Sequence, residues 1–388
     1  MTNLVELLKT PGASLECEDD FEAVNELVRS RGWSDGLPVV PPTARRVEQM
    51  LAYCDRPWDE PVARIAPRWG EATPLRLAAN AVMAGCRPEY FPLLLLVTEA
   101  LCEEPFNLYG IQATTHPCAP LVIVNGPVAK ELDINCGYNA FGPGWRANAT
   151  LGRAIRLALV NIGGAIPGLG DMSTFGAPSK FSYLAAENEQ ASPWEPLHVE
   201  RGLPREASAI TVIGAECPHN VNDHESITAE GILTTLAGTL IATGANDVYY
   251  DAQPLVVMGP EHAKTVAGGG FSKADAKRFL HQHAHLPMNR FSKENIERRL
   301  RVTWKERLGT AGLDAPVTMV QRPEDLLIAV IGGAGKHSAV VHTFGATKPV
   351  TRALKLRDGS YARSIADFKK STPTPTLPLR GRENLENL

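Results

Sequence analysis

Two stretches of this chain repeat one short phrase, and that repetition constrains the architecture more than any bulk property. Residues 210–225 read I-T-V-I-G-A-E-C-P-H-N-V-N-D-H-E, and residues 328–337 read I-A-V-I-G-G-A-G-K-H. A gapless overlay of 210–219 on 328–337 matches at Ile, Val, Ile, Gly and the final His. It pairs His219 with His337 and Cys217 with Gly335. Upstream, residues 120–130 (P-L-V-I-V-N-G-P-V-A-K) align with 254–264 (P-L-V-V-M-G-P-E-H-A-K) after two one-residue slips. A β-branched run stopped by glycine reads as a buried strand opening into a turn at a sheet's C-terminal edge, where α/β proteins place their sites. The shared order of the phrases predicts an internal duplication: two pseudo-symmetric α/β halves with a ligand cleft between them. Chance similarity of two apolar strands is the plainer alternative.

The rest of the chain is read around those halves. Residues 1–72 form an N-terminal helical and proline-rich arm, 73–225 the first α/β half, 226–350 the second, and 351–388 a C-terminal extension that is disordered from about 371. In the arm, a helical stripe over 20–31 stops at Gly32. The segment G-W-S-D-G-L-P-V-V-P-P-T, 32–43, carries too many prolines and glycines for a helix or a central strand. Thr43 and Thr73 are placed to cap helices over 44–53 and 74–84. Further helices are expected over 88–102, 145–161, 226–243, 272–285 and 293–308, and strands over 121–124, 210–213, 255–258 and 327–331. Residues 338–344 fit either type, and 178–189 a short strand or a helix end.

Chemistry concentrates at the strand ends. Cys217 and His219 flank one proline, and a thiol beside an imidazole can act as a nucleophile. Asp223, His224 and Glu225 add acid–base groups, although an acidic first turn explains Glu225 equally well. His337 ends the matching phrase. The loop G-G-A-G-K-H offers Gly333, Gly335 and Lys336 as a cradle for a small anion, without the order of a nucleotide-binding loop. Arg146 and Asn148 stand at a helix N-terminus, where a carboxylate would be favoured. Glu187, near Glu189 and Trp194, is a candidate acid. Candidate catalytic residues are therefore Cys217, His219, His337, Asp223, His224 and Glu187. Candidate substrate-binding residues are Arg146, Asn148, Lys336, Gly333 and Gly335. His281, His283 and His285 suit a helix C-terminus better than a metal, and no defensible metal-ligand spacing is present. The sequence does not identify a cofactor.

Charge and targeting signals narrow the class. A net charge of −4 gives no case for nucleic acid or a membrane surface. No apolar run approaches bilayer length, and no secretory signal is visible. Seven cysteines without a C-x-x-C pair point to reduced thiols and a cytoplasmic location. The apolar helix over 88–102 is core or a subunit interface, which leaves room for a homo-oligomer.

Three segments together, 32–43, C-G-Y-N-A-F-G-P-G-W-R-A-N-A-T-L-G-R (136–153) and A-E-N-E-Q-A-S-P-W-E-P-L-H (186–198), resemble a bacterial family marked by GW[ST]DGLPVVPPT. That family is associated with UGSC-motif (seleno)proteins: its members stand beside, or are fused to, a small domain with a selenocysteine- or cysteine-Gly-Ser-Cys motif. The resemblance spans roughly residues 20–345 and transfers no mechanism. It implies thiol-linked or redox chemistry with a separate thiol or selenol partner, since this chain lacks the Cys-Gly-Ser-Cys segment. Three functions follow as expectations. The first is an enzyme acting on a small anionic metabolite between the halves, of oxidoreductase or lyase type. The second is a non-catalytic subunit that presents substrate to the partner. The third is a metal-dependent lyase or hydrolase.

Overall fold

The computed structural model describes residues 15–369, so the helical reading of the first residues and the expected disorder from 371 lie outside it. Twelve strands are present among these residues: β1 Ala63–Ile65, β2 Gly70–Ala72, β3 Ala119–Asn125, β4 Leu184–Ala186, β5 Ala209–Ala215, β6 His219–Asn222, β7 Leu255–Met258, β8 His285–Pro287, β9 Pro316–Thr318, β10 Leu327–Val330, β11 His337–Val341 and β12 Val350–Ala353. β1–β2 and β8–β9 are two-stranded ribbons, and the other eight make two four-stranded mixed sheets, β12-β5-β3-β4 and β10-β7-β11-β6.

Residue alternation explains how these sheets stack. In β3, Leu121 and Ile123 face inward with Ile213 of β5, and meet Leu255 and Val257 of β7 and Ala329 of β10 in one apolar layer. Val122 and Val124 face the other way, onto the helices Pro74–Ala84, Phe91–Leu101 and Arg146–Asn161. Val256, Met258 and Ile328 face outward from the second sheet, onto the helices Ala229–Leu240, Pro260–Gly268 and Lys273–His283. Strands buried on both faces read as continuous apolar runs, as these do. The result is a helix–sheet–sheet–helix stack with the inner layer between the sheets.

The two sheets have the same strand order, directions and register. Val122 lies between Leu184 on a parallel neighbour and Val212 on an antiparallel one. Val256 lies between Ile328 and Val340 in the same way. Val350 faces Val212 as His219 faces Val340. β3 thus corresponds to β7, β4 to β10, β5 to β11 and β12 to β6. β6 follows β5 in the chain yet completes the second sheet, and β12 follows β11 yet completes the first. Neither sheet is therefore built from one contiguous stretch, and a boundary after residue 225 does not separate them. The antiparallel bridge Ala215–Thr343 joins the ends of β5 and β11. Its flanking bonds are reciprocal: Glu216 N–H donates to His342 O and Phe344 N–H to Gly214 O, both at 2.9 Å.

This arrangement corrects two sequence expectations. The 120–130 and 254–264 phrases do occupy equivalent strands. The 210–219 and 328–337 phrases do not, because β5 is a central strand antiparallel to β3 while β10 is an edge strand parallel to β7. Apolar patterning reports burial of a strand, not its place in a sheet. Gly214 does not open a turn either. The strand runs through it to Ala215, and the missing side chain leaves room for Ile111, whose Cδ1 would stand 2.8 Å from an added Cβ.

Most expected helices occur close to their predicted limits. Thr73 caps Pro74–Ala84 through its side chain, whereas Thr43 precedes Ala44–Leu51 without a side-chain cap bond; Thr228 caps Ala229–Leu240, which starts later than expected. Residues 293–308 form short α segments around a π turn, Ile296–Leu300, instead of one helix. Residues 338–341 are strand. The segment 33–43 is free of helix and strand, and it is tied to helix Arg146–Asn161. Arg153 grips Asp35 with two bonds of 2.7 and 2.8 Å, and Asn161 donates to Trp33 O.

Candidate active site at the junction of the sheets

Where β5 and β11 run out, four elements converge. His116 comes from the loop before β3, Glu216 and Cys217 from the end of β5, His342 and Thr343 from the end of β11, and Asp247 from the single turn Asn246–Tyr249 before β7. The reciprocal backbone bonds at 214–216 and 342–344 hold the two strand ends together.

Asp247 is fully buried and nevertheless charged-group chemistry surrounds it. Its carboxylate accepts from Thr343 N–H (3.1 Å), Thr343 Oγ1 (2.7 Å) and His342 Nδ1 (2.9 Å). A buried carboxylate needs such donors to offset lost hydration. Because Nδ1 carries the proton toward Asp247, the lone pair of a neutral His342 sits on Nε2, which makes no hydrogen bond with any described residue. Burial pulls the His342 pKa down, but the Asp247 bond and charge, with the Glu216 charge, outweigh it and raise the pKa above the usual imidazole value.

Glu216 serves the second imidazole. Its Oε1 lies 2.6 Å from His116 Nε2. The His116 hydrogen bond, opposed by burial and aided by the charges of His116 and His342, holds the Glu216 pKa below the usual carboxylate range. The Glu216 carbonyl accepts from Tyr183 Oη at 2.8 Å. Burial, with the Cys217 and Glu216 charges, pushes the Tyr183 phenol well above its ordinary value, so it stays a donor. His116 Nδ1 and both amide atoms of Gln112 are buried without a hydrogen-bond partner among the described residues, which leaves polar capacity beside the site. One carboxylate in contact with one imidazole and in the field of another is an arrangement for moving a proton. Cys217, half-buried beside Glu216, puts a thiol at the same strand end.

The chain matches no family model, no curated protein and no solved structure.

Of the residues singled out from sequence, only Cys217 belongs to this junction. His219 and His337 begin β6 and β11, which run antiparallel, so His219 faces Val340 and His337 faces Asn222 at opposite ends of the pair. The two do not enclose a shared cavity. His337 meets His224 instead, Nε2 to Nε2 at 3.2 Å, with Nδ1 on Asn220 Oδ1 at 2.9 Å, on an exposed surface. Lys336 donates to the His224 carbonyl. Asp223 is a local cap: it accepts from Ser226 N–H and Thr235 Oγ1. Those bonds overcome burial and lower its pKa.

Arg146 donates from Nε and Nη2 to Gly85 O, the left-handed end of helix Pro74–Ala84. Asn148 is buried, accepting from Asn135 N–H and donating to the carbonyls of Asn135, Ala140 and Leu184. Both are structural clasps. Glu187 is only 4% exposed. It accepts from Asn125 Nδ2 and Leu197 N–H. Burial raises its pKa against the Lys273 charge and these bonds. Gly335 N–H is taken by Glu261, and Gly333 lines a separate hollow at the far end of the sheets. Among the described residues no group of three or more His, Cys, Asp or Glu side chains could hold a metal ion.

His116, Tyr183, Asp247 and His342 escaped the sequence reading. The available signal was the His-Thr pair closing the apolar run 338–341, which the uncertain strand assignment there obscured.

Proposed function

We propose that this chain is an enzyme that moves a proton on a small metabolite held where the two sheets meet. The observation that carries the reading is the His342–Asp247 dyad, in which a buried carboxylate orients an imidazole whose Nε2 bonds to no described residue. His342 takes the proton, and the His116–Glu216 pair supplies the complementary acid or holds the charge that develops. Cys217, the residue after Glu216, is the candidate nucleophile if the reaction has a covalent step. The test is conversion of a metabolite extract by purified protein, compared with His342→Ala and Asp247→Asn proteins whose circular dichroism shows a native fold at the assay temperature. Wild-type turnover in both variants would end this reading.

We infer further that the two halves descend from one duplicated unit, a reading supported by the shared order, direction and register of the sheets. Membership of the GW[ST]DGLPVVPPT family and a cytoplasmic location belong to the same proposal. No helix of the described residues is long and apolar enough to cross a membrane. A second reading, a subunit that works with a UGSC-type thiol or selenol partner, is favoured by the exposed side chains of Leu169, Met172 and Phe175. They sit on a loop that bonds back to Gln112 and Thr115, beside His116. It predicts turnover only when the partner is added, and turnover by the isolated chain would exclude it.

A further inference from the structure

We propose that the hollow at the opposite end of the sheet pair is a second binding site, taking a small carboxylic acid with an apolar, ring-sized body. β3 starts beside the His342 junction and runs away from it, and the chain beyond β4 and β10, its counterparts in direction, reaches this far end. There an open hollow of about 560 Å3 lies between segments of the two halves. That volume falls within the range of small-molecule sites.

Its floor is stitched across the halves. Gly332 N–H donates to Cys136 O at 2.8 Å, Asn188 N–H to Val330 O at 2.7 Å, and Asn188 Nδ2 to Gly332 O at 3.1 Å. The Tyr138 ring lies directly over Gly333, where an added Cβ would stand 2.2 Å from Cδ1, so only glycine admits it. Asn135 locks the Tyr138 loop by accepting from Gly137 N–H and donating to Tyr138 O, both at 2.8 Å. The backbone that carries the ring is thus held, and Tyr138 is 66% exposed. A held, uncovered aromatic face is a surface for an apolar group to pack on.

Polarity supplies the other half of the ligand. Pro193, Pro260 and Ala334 make most of the wall apolar. Lys264 also lines it, and its ammonium makes no hydrogen bond or ion pair with any described residue. The N–H groups of Gly333 and Ala334 likewise have no partner among the described residues. Glu261 lines the hollow too, and its carboxylate is held at one side by Gly335 N–H at 2.7 Å. A neutral apolar ligand would strip water from a cation and two amides without replacement. An inorganic anion would leave the ring and prolines uncovered. A carboxylate on an apolar body meets both demands, its charge on Lys264.

Calorimetric titration of the whole protein with benzoate, benzyl alcohol and acetate tests this. Benzoate should bind saturably, and the other two at least about tenfold more weakly. Lys264→Ala should weaken benzoate by a similar factor, and Ala334→Trp should abolish binding by filling the hollow. His342→Ala should bind benzoate as the wild type does, which separates this site from the proposed catalysis. No saturable benzoate binding, equal binding of benzyl alcohol, or benzoate binding unaffected by Lys264→Ala or Ala334→Trp would overturn the proposal.

Discussion

Asp247 decides what His342 can do. Removing its charge while keeping its shape, as in Asp247→Asn, takes away the largest influence that raises the imidazole pKa. The His342 titration followed by NMR should therefore move to lower pH in that variant. In the wild type a base with a raised pKa is freed of its proton only at higher pH. The acidic limb of the rate profile should lie above the ordinary imidazole pKa of about 6.5. Loss of the base in His342→Ala should cost about 10²- to 10⁴-fold in turnover, measured under saturating substrate. The same shift has a stability consequence. A group whose pKa is raised by folding contributes fully below its unfolded pKa, and that contribution disappears as pH rises through the folded pKa. Thermal stability of the wild type should decline across that window more than that of Asp247→Asn. At this scale the sequence was a poor guide. Cys217 stood out for its company of polar neighbours, whereas His342 and Asp247 are 95 positions apart and meet only through folding.

Helix Arg146–Asn161 shows how an element can be read correctly and its residues misread. Its limits follow from composition, and its polar N-terminus suggested ligand binding. Burial gives Asn148 a different role, in which its amide satisfies backbone groups of the loop before its own helix, at Asn135 and Ala140, and of β4 at Leu184. Asn148→Ala should lower unfolding free energy by about 2–4 kcal/mol, because several buried groups lose partners together. A denaturant series would show it, and an unchanged midpoint would restore the ligand reading. Asp171 ties the same helix to the loop that carries Phe175, pairing with Arg156 and Lys180. Burial opposes its ionisation, but the Lys180 bond and the two positive charges lower its pKa overall. Its stabilising contribution is present above the unfolded carboxylate pKa and fades as pH falls through the folded one. Asp171→Asn should cost about 2–4 kcal/mol at neutral pH by leaving two partly buried cations without their carboxylate. Chemical denaturation at pH 7 measures that loss directly.

At the scale of the molecule, the exchange of β6 and β12 joins the halves more firmly than a shared surface would. Each sheet borrows a strand from the other half of the chain. Residues 15–225 and 226–369 expressed separately should each lack cooperative unfolding, since each would leave β5 or β11 without its neighbour. Co-expressed, they should purify together, and a half that folds alone would contradict the exchange. The sequence by itself determined four of the eight strands in the buried sheets (β3, β5, β7 and β10), most helices, the Thr73 cap, and the likeness of β3 to β7, because local periodicity and end signals are short-range properties of the chain. Only the tertiary structure decided which strands are equivalent, that two of them cross over, and that His116, Glu216, Asp247 and His342 share one junction. Those outcomes depend on contacts between residues far apart in sequence, and apolar patterning carries no information about which buried strand pairs with which.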